Sequence, residues 1–285
     1  MQKTQSGEKQ PLMMERFQLI QGDSYQTPPP SNVALVLTDP PYGTTNLDWD
    51  KNTDIQRLWT LLASYDAPVV SFGDFKLISA LAHVSGCFNY EMIWEKRRPV
   101  GFLDAKRRPL RLHELIGVFG RPDYNIQKRP RHEDDYHPGK TRRLNRQNRV
   151  YAKDVRESRW EDDGTRYCGD VLHATYGEHD ISRTKGMHPT AKPVNLLRLL
   201  IRMYSKPDDL ICDPFMGSGS TGVASLLEGR RFIGIEQDEH WMEVAQQRLA
   251  EIQAQPTLEG IETDMMIDLS RFTSPRKTDG QTTRQ

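Results

Sequence analysis

A glycine-rich turn between two short apolar runs constrains this chain more than any other stretch. Leu210-Ile211-Cys212 reads as a strand, Gly217, Gly219 and Gly222 form a G-x-G-x-x-G, and residues 222–229 read as a helix closed by a C-terminal glycine. Arg231-Phe232-Ile233-Gly234-Ile235 supplies a second strand ending in Glu236, 19 residues after Gly217. Glycines there let a ligand approach the backbone where a strand enters a helix, and an acid at the end of the second strand can accept hydrogen bonds from ribose hydroxyls. Strand, turn, helix and strand in this order supply the context in which an α/β sheet holds a nucleotide-like ligand.

A nicotinamide-dependent dehydrogenase meets these requirements equally well, and a turn serving only helix–strand packing is the plainest alternative. Two details favour another ligand. Asp213 immediately precedes the turn, where a carboxylate repels a pyrophosphate but suits the positively charged methionine end of S-adenosylmethionine. The loop also carries hydroxyls at Ser218, Ser220 and Thr221, and Phe215 is suited to pack beside a sulfonium or its carboxypropyl chain.

Far upstream, Val33-Ala34-Leu35-Val36-Leu37-Thr38 has the continuous apolar pattern of a buried strand. Asp39-Pro40-Pro41-Tyr42 therefore sits at its C-terminal edge, where open α/β sheets place their ligands. The lone pair of an exocyclic amino group on a nucleobase is delocalised into the ring, so acceptors must draw on its two hydrogens as it pyramidalises. Asp39 offers one acceptor and the Pro40 carbonyl another. Pro41 stiffens the loop, and Tyr42 offers a face on which an extruded base can stack. A sulfonium is already an activated donor, so placement and hydrogen bonding suffice without a covalent intermediate. A proline-rich strand exit with a structural tyrosine is the alternative.

The formal charge is zero, from 39 Lys and Arg against 39 Asp and Glu over 285 residues, but it is polarised along the chain. Between Lys96 and Arg159 lie 19 basic against 8 acidic residues, a net +11, leaving 20 against 31, or −11, elsewhere. Such a block suits a polyanion, because Lys and Arg contacts release counterions from phosphates. Lys106, Arg107, Arg108, Arg129, Arg131, Arg142, Arg143 and Arg146 are its candidate DNA contacts; a solvated, partly disordered region is the other reading. From Arg121 to Gly186 the apolar pattern dissolves into polar, basic, turn-rich sequence predicted to order on DNA, with Tyr124, Tyr136, Tyr151 and Trp160 available to stack or wedge. Three unpaired cysteines and eight histidines without ligand spacing predict a reducing cytoplasm and no metal site. No window approaches ~20 apolar residues, so no membrane span is expected.

Taken together, these motifs resemble the β-group, permuted DNA amino methyltransferases, in which the target-base motif precedes the cofactor motif. His188-Pro189-Thr190-Ala191-Lys192-Pro193, ahead of a predicted helix over Val194–Tyr204, is similar to the family's HPTxKP element. That resemblance assigns Thr190 and Lys192 to S-adenosylmethionine, and Asp23 to the cofactor's adenine. The stretch Gly101–Glu114 and the strand Leu115–Phe119 also resemble members of the group. The resemblance implies a Rossmann-like, mostly parallel seven-stranded sheet with helices on both faces and a small irregular DNA-recognition insert. Sequence pattern and resemblance together divide the chain into a flexible N-terminal tail (1–15), a catalytic half (16–120), a basic target-recognition insert (121–187), a cofactor-binding half (188–254) and a flexible C-terminal tail (255–285). The resemblance further implies double-stranded DNA as partner, and raises a homodimer and a cognate restriction enzyme as open questions. Asp at the head of the four-residue motif goes mainly with adenine N6 in that family, with cytosine N4 as the alternative. A nicotinamide oxidoreductase and a DNA-binding regulator with a retired active site remain as readings from other classes.

Overall fold

The computed structural model describes residues 15–41, 54–130, 163–173 and 191–254. In chain order these form β1 (Phe17–Gln21), β2 (Leu35–Thr38), α1 (Ile55–Ala63), β3 (Val69–Gly73), α2 (Phe75–Ser85), β4 (Phe88–Val100), a 3-10 turn (Phe102–Asp104), β5 (Arg111–Phe119), β6 (Lys128–Pro130), β7 (Thr165–Tyr167), β8 (Val171–Leu172), α3 (Val194–Tyr204), β9 (Leu210–Asp213), α4 (Ser220–Leu227), β10 (Arg231–Glu236) and α5 (Glu239–Ala254). Among the described residues, no helix is long and apolar enough to cross a membrane.

One sheet orders its strands β1-β10-β9-β2-β3-β5-β4-β8. The β1–β10, β10–β9, β9–β2, β2–β3 and β4–β8 pairs are parallel, whereas β5 runs antiparallel to both β3 and β4. The mostly parallel expectation holds, with eight strands in place of seven. The extra strand is the two-residue β8, too short to leave a period-2 signal.

The central strands β2, β3 and β9 are buried at every position, which explains their continuous apolar runs. Val36 and Cys212 pack on one face in a cluster with Leu58, Leu61 and Leu62 of α1 and Leu77 and Leu81 of α2. Their neighbours Leu35, Leu37, Ile211 and Phe232 are also buried, and the Phe232 ring lies against Gly222 of α4. Successive strand residues point to opposite faces, so helices cover both. Helix starts are set locally. Asp54 accepts the Arg57 N–H at 3.1 Å ahead of α1, and Asp74 accepts the Leu77 N–H at 3.0 Å ahead of α2, each satisfying an otherwise orphaned donor. Gly86 closes α2 at φ 63°, a left-handed cap that favours glycine.

Ile126–Pro130 and residues 163–169 belong to a second unit, separate from the one that carries the eight-stranded sheet. Within the span 121–187 its bounds fall at Ile126 and Gly169. Asn125 stays with the first unit because its N–H donates to the Met203 carbonyl at 2.8 Å and its side-chain amide to the Arg202 and Ser205 carbonyls at 3.0 and 2.9 Å. Asp170 stays because its carbonyl accepts the Ile93 N–H at 2.8 Å. Within the second unit β6 and β7 pair antiparallel, Lys128 opposite Tyr167 and Arg129 opposite Arg166. Lys128 Nζ donates to Asp163 at 2.5 Å and lies 5.7 Å from the Tyr167 ring centroid. Three-residue strands are too short for periodicity to reveal, so the expected irregular stretch contains regular structure at its described ends.

Candidate active site

A cavity of about 650 Å³ opens at the carboxyl ends of β1, β10, β9 and β2. From β9 the chain proceeds to β10 on one side, and from β2 to β3 on the other, so β9 and β2 flank a topological switch point, the crevice where open α/β sheets bind ligands. Thr38 Oγ1 of β2 donates across it to Asp213 Oδ1 of β9 at 2.8 Å. Asp213 also accepts the Phe215 N–H at 3.0 Å and, on Oδ2, the Thr221 hydroxyl at 2.7 Å. Burial pushes this carboxyl up to about 6, against the pull of those hydrogen bonds. The carboxylate was expected to face a ligand's positive charge. It lines the cavity, but it is buried and its acceptors tie strand, turn and helix together.

The three glycines do different work. Gly217 lines the cavity, and its N–H donates to Glu236 Oε2 at 2.9 Å, while Oε1 takes the Asp238 N–H at 2.9 Å. Glu236 is thereby oriented at the end of β10, its carboxyl raised by burial. Gly219 has φ +77°, and a Cβ there would stand 2.9 Å from Ala245 Cβ and 3.0 Å from Leu249 Cδ1 of α5. At Gly222 a Cβ would lie 2.6 Å from the Phe232 ring. The space where a Cβ would stand at these two is taken by α5 and β10. Gly219→Val is therefore expected to fail through packing and backbone strain, losing about 2 kcal/mol or more of stability. Thermal unfolding without ligand checks this, and a Gly219→Val protein of parental stability would return the residue to a ligand-facing role.

Ser218 and Ser220 are buried, and Arg248 of α5 holds both, its Nη1 donating to the Ser218 carbonyl at 2.5 Å and to Ser220 Oγ at 3.3 Å. Opposite the glycine loop, Asp23 accepts the Tyr25 N–H at 2.9 Å and Gln26 Nε2 at 3.0 Å. Ser24 donates to the Pro214 carbonyl, which latches the loop after β1 onto the loop after β9. Tyr25 and Phe215 have ring centroids 6.0 Å apart. Both line the cavity, as do Trp241 and Met216.

At the other end of the same cavity stand Asp39, Pro40 and Pro41. Asp39 Oδ2 accepts Lys192 Nζ at 2.5 Å, and the same ammonium lies 3.3 Å from Glu114 of β5. Lys96 of β4 donates to the other Glu114 oxygen. Lys192 is only 7 % exposed, and its Nζ lies 5.2 Å from the Phe72 ring centroid. The charges therefore alternate, Asp39, Lys192, Glu114, Lys96, with Lys192 the most buried of the four. Burial raises the Asp39 carboxyl above its ordinary range, opposed by Lys192 and reinforced by Glu114. Burial also works to raise Glu114, but the two ammoniums outweigh it and hold that carboxyl low. Asp39 Oδ1 is buried and accepts no hydrogen bond among the described residues, a costly condition for a carboxylate oxygen unless a ligand donor meets it.

The predicted positions thus divide. Asp23, Asp39, Pro40, Pro41, Lys192, Asp213, Phe215, Gly217, Ser218, Ser220, Thr221 and Glu236 line one cavity, whereas Gly219 packs behind it. Tyr42, Thr190, Arg131, Arg142, Arg143 and Arg146 lie outside the described residues. Lys106 and Arg107 are exposed between β4 and β5, Arg108 pairs with Asp104 at 2.6 Å, and Arg129 lies in β6 of the second unit. Lys192, assigned to cofactor, is built into the Asp39 end. Sequence reasoning missed Glu114, Lys96, Ser24, Tyr25 and Trp241. Of these only Glu114 leaves a signal, a lone acid just before the apolar run Leu115–Phe119.

Fold and site together define an α/β protein whose switch-point cavity joins a glycine-rich turn to a buried carboxylate oxygen that accepts no hydrogen bond among the described residues. Residues 33–247 match the DNA methylase family of N6 and N4 methyltransferases, and the chain belongs to that family. Over short stretches it is 49% identical to the type II methyltransferase M2.MboI of Moraxella bovis (70 residues, 25% of this chain and 26% of that protein). It is 53% identical to the putative methylase YubD of Escherichia coli K12 (66 residues, 23% and 29%). The chain thus matches only about a quarter of the length of these curated relatives. Among solved structures, the M1.HpyAVI–SAM complex superposes with a TM-score of 0.51 at 24% identity, covering 82% of this chain and 98% of that one. The PvuII DNA methyltransferase, described as cytosine-N4-specific, superposes with a TM-score of 0.55 at 17% identity, covering 83% and 91%. At these identities the likeness is one of fold.

Proposed function

We propose that this protein transfers a methyl group from S-adenosylmethionine to the N6 amino group of adenine in duplex DNA, in the cytoplasm, with the target base flipped out of the helix. The observation that carries the reading is the Oδ1 atom of Asp39, a buried acceptor without a described partner, in the same cavity as the glycine loop. The lining fits the cofactor. Asp23 and Glu236 place acceptors at the ends of adjacent parallel strands for amino and hydroxyl groups, and Tyr25, Phe215, Met216 and Trp241 supply apolar and aromatic surface. When bound there, the cofactor supplies its sulfonium methyl as an activated electrophile.

The protein's own part is placement and charge. Asp39 Oδ1 accepts one amino hydrogen and the Pro40 carbonyl the other, drawing the nitrogen toward a pyramidal, nucleophilic geometry. Lys192 occupies Oδ2, which fixes the carboxylate rotamer and favours its ionised form despite burial. Tyr42, which follows Pro41 in sequence, is the residue the motif assigns to stacking on the flipped base. Adenine is favoured by the aspartate at the head of the motif.

The test is incubation with labelled S-adenosylmethionine and unmethylated duplex DNA, followed by digestion to nucleosides and mass spectrometry. N6-methyladenine is expected. N4-methylcytosine would keep the mechanism and overturn the base, and no methylated nucleoside despite cofactor binding would overturn the reaction.

A further inference from the structure

Strands β4 and β5 do not stop where the sheet does. Leu115 pairs with Gly73, the last residue of β3, yet β5 begins at Arg111, four residues further out, and β4 pairs with it as far as Val100 opposite Arg111. At about 3.4 Å per residue the four residues of β5 carry this ribbon about 14 Å past the edge, with a register irregularity in β4 between Glu95 and Val100. Burial follows, from buried Ile116–Phe119 to exposed Arg111–His113. The edge it leaves is the one that carries Asp39, since Thr38 aligns with Ser71 and Ser71 with Gly117.

The composition of the tip is unusual. Phe102 and Leu103 are 67 % and 103 % exposed, with Val100 and Leu112 also exposed beside them. Between Arg98 and Arg111 there are five basic residues and one acid, Asp104, and the side chains of Arg98, Lys106, Arg107, Arg108 and Arg111 are all exposed. A lipid surface or a second copy of the chain would use the apolar tip. The positive collar set around that tip, on the catalytic edge, matches a duplex, whose phosphates flank an apolar stack of bases.

Resting on the function proposed above, we infer that this ribbon is a wedge. Phe102 and Leu103 enter the base stack of duplex DNA while Lys106, Arg107 and Arg111 hold the flanking phosphates. The inserted side chains unstack a base step, which lowers the cost of extruding a nucleotide toward Asp39.

Insertion unwinds DNA, so it can be read without knowing a target sequence. Closed-circular plasmid is relaxed by a topoisomerase with saturating full-length protein, and the change in linking number is compared for the parent and the F102S/L103S variant. Both side chains are exposed, so the variant should fold. The parent is expected to lower the linking number. The variant should bind plasmid with affinity within about threefold but produce less than about half the shift. Equal shifts, or no shift from the saturated parent, would overturn the wedge, as would self-association that depends on Phe102 and Leu103 without any unwinding. Methyl transfer to bulk DNA is measured separately. Its absence would overturn the proposed reaction, while the linking number still decides the wedge.

Discussion

Asp39→Ala is expected to lower methyl transfer about a thousandfold while S-adenosylmethionine binds within about threefold of the parent. The separation follows from the geometry. Glu236, Asp23 and the Gly217 turn are held by their own hydrogen bonds, none of which involves Asp39. Lys192 keeps Glu114 as a buried partner, so the ammonium is not stranded. Asp39→Asn is the sharper variant. Its amide oxygen must turn toward Lys192 Nζ, because an NH₂ cannot face an ammonium, and this leaves a donor where the acceptor Oδ1 stood. Although near-isosteric, Asp39→Asn is therefore expected to be almost as inactive as Asp39→Ala. Single-turnover transfer rates with separately measured cofactor affinity make the check, and an Asp39→Asn protein within about tenfold of the parent would show that acceptance at Oδ1 is not what the reaction needs.

Some of this was legible in the sequence because single residues carried it. Continuous apolar runs announce the doubly covered strands β2 and β9, and α3 occupies the predicted span Val194–Tyr204. The two motifs fall at adjacent strand ends of one cavity. Glycine spacing, however, cannot say what each glycine faces. Gly219 and Gly222 look alike to Gly217, yet they answer to Ala245, Leu249 and Phe232, residues whose proximity only the packing of α5 and β10 decides. Asp213 is similar. Its place before the turn is plain in the sequence, but the Thr38 hydroxyl that donates to it comes from 175 positions away and is not. The β4–β5 ribbon escaped because its tip is a mixture of apolar and basic residues without period. Its meaning lies in where register carries it.

Lys192→Met is expected to cost about 3 kcal/mol or more of stability near neutral pH, because it strips the shared cation from two buried carboxylates. Asp39 and Glu114 flank its Nζ at 2.5 and 3.3 Å; Lys96 stays in direct contact with Glu114 and acts on Asp39 only from a distance. Without Lys192 both carboxyls must titrate higher than in the parent. A group whose folded pKa lies above its unfolded value gives stability below the unfolded pKa and loses it as pH rises through the folded one. The Lys192→Met protein should therefore lie closest to the parent in acid and fall furthest below it toward pH 8. Its transfer activity, which needs ionised Asp39, should have its acid limb displaced to higher pH. Asp39→Asn added to Lys192→Met removes the carboxylate charge left without a close cation and should recover part of the lost stability without restoring the rate. Thermal unfolding from pH 5 to 8 with a pH–rate profile distinguishes this from lost packing alone. A stability deficit that does not change with pH would mean that the lysine's stem, not its charge, supports the Asp39 end of the cavity.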